Sequence, residues 1–260
     1  MSLPYDMGNA GDFVKHGLLA EFTQWWCEHE ARPLRFLDPF AGRPWVSPPN
    51  PEVVRRVQAL PASALRSAQR DPTHRYYGSA FVVFNAAKAS GHLAEVFVSD
   101  SERAARDAFE ETGFKRLVCG GFSPSDAFTV LDADCEADLL LLDPFGDFLS
   151  RRATDVIPKI KASSKRLACV LFVLNLNPNN RVGKQYAALR AEHLSSSWSL
   201  RCPKLPNRGV AGESKYEVEV LLAWQRLNDH PKSLELHDRL NALAEHLSNV
   251  VGTSITFSAA

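Results

Sequence analysis

Three continuous apolar runs constrain this chain more than any other feature. They are "LRFLDPFAG" (34–42), "DLLLLDPFG" (138–146) and "LACVLFVLNLN" (167–177). A strand that is apolar on both faces must be covered on both faces, which is the situation in a parallel sheet with helices on each side. The intervening segments fit that reading. Leu18, Leu19, Phe22, Trp25 and Trp26 fall at helical spacing, so 12–29 is expected to be an amphipathic helix. "GSAFVVFNAAKASG" (78–91) has a Ser near its start and a Gly past its end, as a helix should. "EVFVSD" (95–100) reads as a strand, 101–112 as a helix stopped by Gly113, and "KRLVC" (115–119) as a strand. Helices near 124–131 and 180–195 and a strand "YEVEVLLAW" (216–224) follow. Leu236, Leu240, Leu243 and Leu247 mark a C-terminal helix. The alternation predicts an α/β fold with a mostly parallel sheet and helices on both faces. Residues 44–75, rich in Pro, Arg and Ser with a short helical pattern at 51–60, read as an insertion over the sheet edge.

Length and composition exclude several classes. The chain has 260 residues, enough for one large domain. Lys plus Arg equals Asp plus Glu, so no global charge draws it to nucleic acid, although a local basic face would suffice. The five cysteines are scattered, odd in number and without a CxxC pair. They point to reduced thiols in a cytoplasmic protein rather than disulfides or a zinc site. No apolar run approaches the roughly 20 residues that span a bilayer. No His/Cys/Asp cluster has the spacing of metal ligands.

In a sheet of this kind, ligands sit beyond the carboxyl ends of the strands. Consecutive strands here end in Asp38 with Ala41-Gly42, in Ser99-Asp100, and in Gly120-Gly121, and the next strong strand ends in Asp143-Pro144. That pattern suits a nucleoside-bearing cofactor lying across the sheet. A small first turn lets backbone approach the ligand. An acid after the second strand, Asp100, can accept from ribose hydroxyls, and the third turn can hold the base. The first turn, DPFAGRPW, lacks the G-x-G-x-x-G of a nicotinamide fold, and no P-loop lysine is present. Elimination favours S-adenosylmethionine.

With these residues in view, the chain resembles the RlmJ family of large-subunit ribosomal RNA adenine-N6 methyltransferases, which are class I S-adenosylmethionine enzymes. The family's Tyr followed by Gly-Asn-x-x-Asp-x-x-Lys-His is matched by "YDMGNAGDFVKH" (5–16). Its Asp-x-x-Ala-Gly turn is matched by "DPFAG" (38–42), its YYxGSP helix start by "YYGSA" (76–80), and its acid by "SDSE" (99–102). Its catalytic Asp-Pro-Pro-Tyr is matched imperfectly by "DPFG" (143–146). The matches keep their order over roughly residues 4–225. The resemblance implies a class I methyltransferase (Rossmann-like) fold. Residues 1–228 would form the methyltransferase domain, with an N-terminal active-site segment 1–30 and an inserted cap at about 44–75. Residues 229–260 would be a C-terminal helix and tail packed on the same domain.

The resemblance also assigns roles. Asp143 and the Pro144 carbonyl would accept hydrogen bonds from the target amine and hold its lone pair in line with the sulfonium methyl group, a gain of positioning and electrostatics. Phe145 would pack on a flat acceptor and Tyr5 would reach toward it. His16 would approach the methionine end of the cofactor. Lys15 would neutralise a carboxylate or approach substrate. Asp38, Phe40, Ala41, Gly42, Ser79, Asp100, Ser101, Gly120, Gly121 and Phe122 complete the expected cofactor site, with Asn9, Trp45, Arg208 and Lys215 beside the substrate. Plainer duties compete with these. Asn9 or Asp12 could simply cap a helix, Ser79 could be an N-cap, and Trp25 and Trp26 are expected in the core rather than as stacking platforms.

Three departures from the family stand out. "DPFG" lacks the second Pro and carries its aromatic one place early, which also makes it similar to the three-Cys-motif partner family. Gly120 or Gly121 stands where the family has an adenine-binding acid, for which Phe122, Ser123 or Asp126 could substitute. Phe40 stands where the family has a His. Arg181, Lys184, Arg201, Lys204, Arg208 and Lys215 in the late loops could hold phosphates. The resemblance implies an exocyclic amine as acceptor, adenine N6 of ribosomal RNA foremost. A small-molecule acceptor is the alternative, and a non-catalytic binding protein the second. A monomer without metal or membrane partner is expected.

Overall fold

The computed structural model describes residues 7–100, 102–114, 119–123, 127–132, 136–143, 167–174, 196–204 and 217–259, with a few single positions between 158 and 191. Its first element, α1 (Ala10–His29), is followed by β1 (Leu34–Asp38), then β2 (Trp45–Val46), α2 (Pro51–Ala59), α3 (Ala64–Ala68) and β3 (Tyr76–Tyr77). Next come α4 (Ser79–Ala89), β4 (Ala94–Ser99), α5 (Arg103–Glu111), β5 (Cys119–Ser123), α6 (Ala127–Asp132) and β6 (Leu139–Leu142). The chain continues through β7 (Ala168–Leu174), β8 (Trp198–Cys202), β9 (Val218–Ala223), α7 (Ser233–Val251) and β10 (Thr256–Ser258).

One eight-stranded sheet runs in the order β10-β8-β9-β7-β6-β1-β4-β5. The pairs β1–β4, β4–β5, β1–β6 and β6–β7 are parallel. β9 runs antiparallel to both β7 and β8, so β8 points the same way as the parallel strands. The apolar runs explain the centre of this order. Leu139–Leu142 are all buried between β1 and β7, and each leucine so buried contributes about 2 kcal/mol. β5 lies later than the strand expected at 115–119: it runs from Cys119 to Ser123, so Gly120 and Gly121 are paired strand residues rather than the turn beyond it, and 115–118 lie outside the described residues. The helix expected at 180–195 falls largely outside them too.

Helix α1 departs from its sequence pattern. It is buried almost throughout, including Asp12, Lys15, His16 and Glu21, rather than amphipathic. The cause is a second helical layer. α1 lies against β8 and β9 on one side, and α3, α4 and α7 pack over its outer side. Trp25 and Trp26 are core residues, in edge and tilted contact with Phe22 and Trp224. The inserted segment packs on helices, with α3 against α1 and α4 and α2 against α7. α7 packs on α1, and β10 adds an antiparallel edge strand to β8. Cys27, Cys169 and Cys202 are buried. Among the described residues, no helix is long and apolar enough to cross a membrane.

Gly120 shows how tightly β5 is fitted. Its φ is +131°, and a Cβ there would stand 2.0 Å from the carbonyl oxygen of Val96 on the neighbouring strand. Gly120→Ala is expected to cost about 2 kcal/mol or more, because a Cβ clash and an unfavourable φ act together. A thermal melt of the variant several degrees below wild type would agree; an unchanged melt would contradict this packing.

Candidate functional site

Parallel strands deliver their carboxyl ends to one edge. Asp38 ends β1, Ser99 and Asp100 end β4, Ser123 ends β5, and Asp143 follows β6. Backbone contacts lock these turns together. Ala41 N donates to Ser99 O at 3.1 Å, and Asp100 N donates to Ser123 O at 3.4 Å. The Asp100 carboxylate accepts from Gly42 N at 3.0 Å and from Glu102 N at 2.7 Å. Gly42 has φ +60°, which lets the turn close on that carboxylate. Burial pushes the Asp100 carboxyl up, with the two backbone N–H groups working against it. One bond per oxygen leaves each with capacity to accept from a hydroxyl.

The N-terminus of α1 enters this edge. Asn9 is its N-cap, and its Oδ1 accepts from Asp12 N at 3.0 Å. Gly8 has φ +95° and lies so close to Val53 of α2 that a Cβ would meet that side chain at 2.6 Å. Gly8 N donates to Asp12 Oδ2 at 2.9 Å. One turn later, Lys15 Nζ stands 3.0 Å from Asp12 Oδ1 and donates to Asp143 Oδ2 at 2.6 Å. The carboxylates that Lys15 neutralises are thus the protein's own. Burial opposes ionisation of Asp12, but Lys15 and the Gly8 N–H outweigh it and hold this carboxyl below its ordinary value. Burial pushes Asp143 up, with Lys15 opposing.

His16 is 1 % exposed, and its Nδ1 lies 3.0 Å from the hydroxyl of buried Tyr76. Burial, with Lys15 nearby, lowers its pKa to about 3, so it is neutral at physiological pH. Asp38 is also 1 % exposed. Its Oδ1 accepts from Phe40 N at 3.0 Å, and burial raises its pKa to about 7.

The structure therefore brings Asn9, Lys15, His16, Asp38, Phe40, Ala41, Gly42, Asp100 and Asp143 to one end of the sheet. Gly120 and Gly121 belong to β5, and Gly121 has open space where a Cβ would be. Gly78, not Ser79, is the N-cap of α4; Ser79 is buried in its first turn. Arg201 is a strand residue of β8 paired with Glu217 at 2.5 Å, not a loop cation. Lys184 and Lys204 are exposed. Tyr5, Ser101, Pro144, Phe145, Arg181, Arg208 and Lys215, and the side chain of Phe122, lie outside the described residues. Trp45 contacts Tyr77 and Phe81, with the Arg75 guanidinium 4.5 Å from its ring centre. It lines a groove of about 600 Å³ with Arg43 and residues Asp107, Ala108 and Glu111 of α5.

Sequence reasoning missed Asp12 as a partner of Lys15 and Tyr76 as a partner of His16. The i, i+3 spacing of Asp12 and Lys15 was a usable signal. Tyr76 carried none beyond its place in "YYGSA".

No family model and no curated protein matches the sequence. Among solved structures, the chain is similar to protein LPL1258 from Legionella pneumophila, described under family model DUF519. The TM-score is 0.66 at 16% identity, over 97% of this chain and 98% of that one. An rRNA methylase from Streptococcus thermophilus aligns with a TM-score of 0.42 at 10% identity, over 82% of this chain and 95% of that one. The strand order, five parallel strands continued by a reversed β9 and the returning β8, is that of class I methyltransferases. This agrees with the fold expected from the sequence.

The two shifted groups give opposite pH slopes. Folded His16 stays neutral where an unfolded histidine takes a proton, so stability falls as pH drops from 6.5 toward 3. Folded Asp38 keeps its proton to about 7 while the unfolded residue loses it near 4, so stability falls as pH rises through that window. His16→Gln removes only the first slope. Urea melts at pH 6.5 and 5.0 should show wild type losing about 1.5 kcal/mol relative to the variant. Parallel behaviour of the two proteins would mean that His16 is not buried neutral.

Proposed function

We propose that this chain is an S-adenosylmethionine-dependent methyltransferase acting on an exocyclic amine, adenine N6 of ribosomal RNA being the favoured acceptor. The observation that carries this reading is the pairing of Asp143 with Lys15 at the strand edge where Asp100 and the Ala41-Gly42 turn also meet. The residues present fit the cofactor. Asp100 has acceptor capacity for ribose hydroxyls, the Ala41-Gly42 backbone permits close approach, and the open surface at Gly121 leaves room for a base. When bound, the cofactor supplies an electrophilic methyl group. The protein's part is to aim an amine lone pair at it and to shield the site from water.

The Asp143 carboxylate, 2.6 Å from Lys15 Nζ, is an acceptor for the N–H of an amine. Asp143 is half-buried, and partial removal from water strengthens that hydrogen bond. The choice of adenine in RNA rests on the ordered motif series shared with the RlmJ family. The shortened "DPFG" favours the second reading, a small-molecule acceptor.

Calorimetric titration with S-adenosylmethionine and S-adenosylhomocysteine tests the cofactor assignment. One saturable site is expected, weakened about tenfold or more in Asp100→Ala by loss of hydrogen bonds to a charged group. Absence of binding to well-folded wild type would overturn it. With ribosomal RNA from a strain lacking the protein, Asp143→Asn should lower methyl transfer by about 100-fold or more. Undiminished transfer would remove Asp143 from the reaction.

A further inference from the structure

We propose that Tyr76 is a positioning residue that fixes His16 as its Nε2–H tautomer, so that the bound cofactor meets a neutral hydrogen-bond donor. This rests on the cofactor reading above. The Tyr76 hydroxyl is 3.0 Å from His16 Nδ1, and the two rings lie 5.6 Å apart at 34°. Tyr76 is 1 % exposed. Among the described residues its hydroxyl makes one hydrogen bond, to His16. If Nδ1 carried the proton, the phenol oxygen would accept it and the phenol proton would be buried without an acceptor, at a cost of about 1–3 kcal/mol. If the phenol donates, both groups are satisfied, and the imidazole proton is left on Nε2.

Charge around the ring makes a neutral donor useful. The single positive charge of Lys15 is already set against two carboxylates, Asp12 and Asp143. A donor of zero charge at His16 can bind the carboxylate end of an amino-acid-bearing cofactor without drawing on that charge. Burial keeps His16 neutral well below physiological pH, so this donor does not titrate in use.

The same geometry gives the inserted segment a purpose. Tyr76 is delivered by the β2–β3 ribbon, in which Val46 pairs with Tyr76 and Trp45 with Tyr77. Gln69, fully buried, clamps that ribbon with both ends of its amide. Its Nε2 donates to Tyr77 O at 2.8 Å, and its Oε1 accepts from Tyr77 N at 2.8 Å. The insertion thus supports the histidine from behind.

Long-range nitrogen–proton NMR of the full chain reads the tautomer directly. Wild type is expected to show the Nε2–H pattern for His16. Tyr76→Phe should shift it toward a mixture of tautomers and weaken S-adenosylmethionine binding about tenfold. In a His16→Gln background the side-chain amide donates whatever the phenol does, so Tyr76→Phe should there change the Kd less than about threefold. An Nδ1–H pattern in wild type, an unchanged tautomer in Tyr76→Phe, or equal losses in both backgrounds would overturn the assignment. If wild type binds no S-adenosylmethionine, the cofactor reading fails, and the tautomer of the unliganded protein still decides the role of Tyr76.

Discussion

A single buried ammonium ties the two halves of the site together. Lys15 belongs to the first turns of the first helix, and Asp143 follows a strand 128 residues later. Two carboxylates flank the Lys15 nitrogen, and Asp12 and Lys15 are buried. Removing the ammonium would strand negative charge in a low-dielectric place, which is far costlier than never having built the pair. The pair is therefore better understood as a register pin than as a source of stability. It requires α1 to be seated before Asp143 can hold its orientation.

Much else follows from that requirement. For Lys15 to reach Asp143, α1 must lie over the sheet near its carboxyl edge, so its first turns are buried and need an internal cap, supplied by Asn9 and Asp12. The outer side of α1 then needs its own cover, supplied by α3, α4 and α7. Val53 of α2 presses on Gly8, and Tyr76 reaches His16. The insertion is thus bound to the N-terminal segment at several points, Ala64 N donating to Glu21 of α1 among them. A chain that placed these residues on a surface loop would hold Asp143 less rigidly, and positioning is what the methyl transfer proposed above would most need.

The strands and their terminal acids were legible in the sequence, because unbroken apolar runs ending in Asp have few other uses. Asp38, Asp100 and Asp143 fall where that pattern put them. What stayed hidden involves contacts between distant segments. β8 (WSLRC) is short and mixes Ser and Arg with its apolar residues, so it looks like loop, and β10 is three residues at the end of the chain. The burial of α1 was not legible because its first turns carry Asp12, Lys15 and His16, residues usually exposed. They are inside because they satisfy one another and Asp143, which no local pattern reveals. Tyr76 and Gln69 belong to the same class: their value lies in a partner 60 and 8 residues away in sequence respectively.

The most direct test of this arrangement is a double-mutant cycle on Lys15 and Asp143, read by urea unfolding. Lys15→Met alone should cost about 3 kcal/mol or more, since it leaves Asp12 and Asp143 facing each other unpaired. Asp143→Asn alone should cost less, because Lys15 keeps Asp12. Together they should cost less than the sum of the two, by about 1–3 kcal/mol. Additive losses would mean that the two residues do not depend on each other, and that the N-terminal helix does not set the orientation of Asp143.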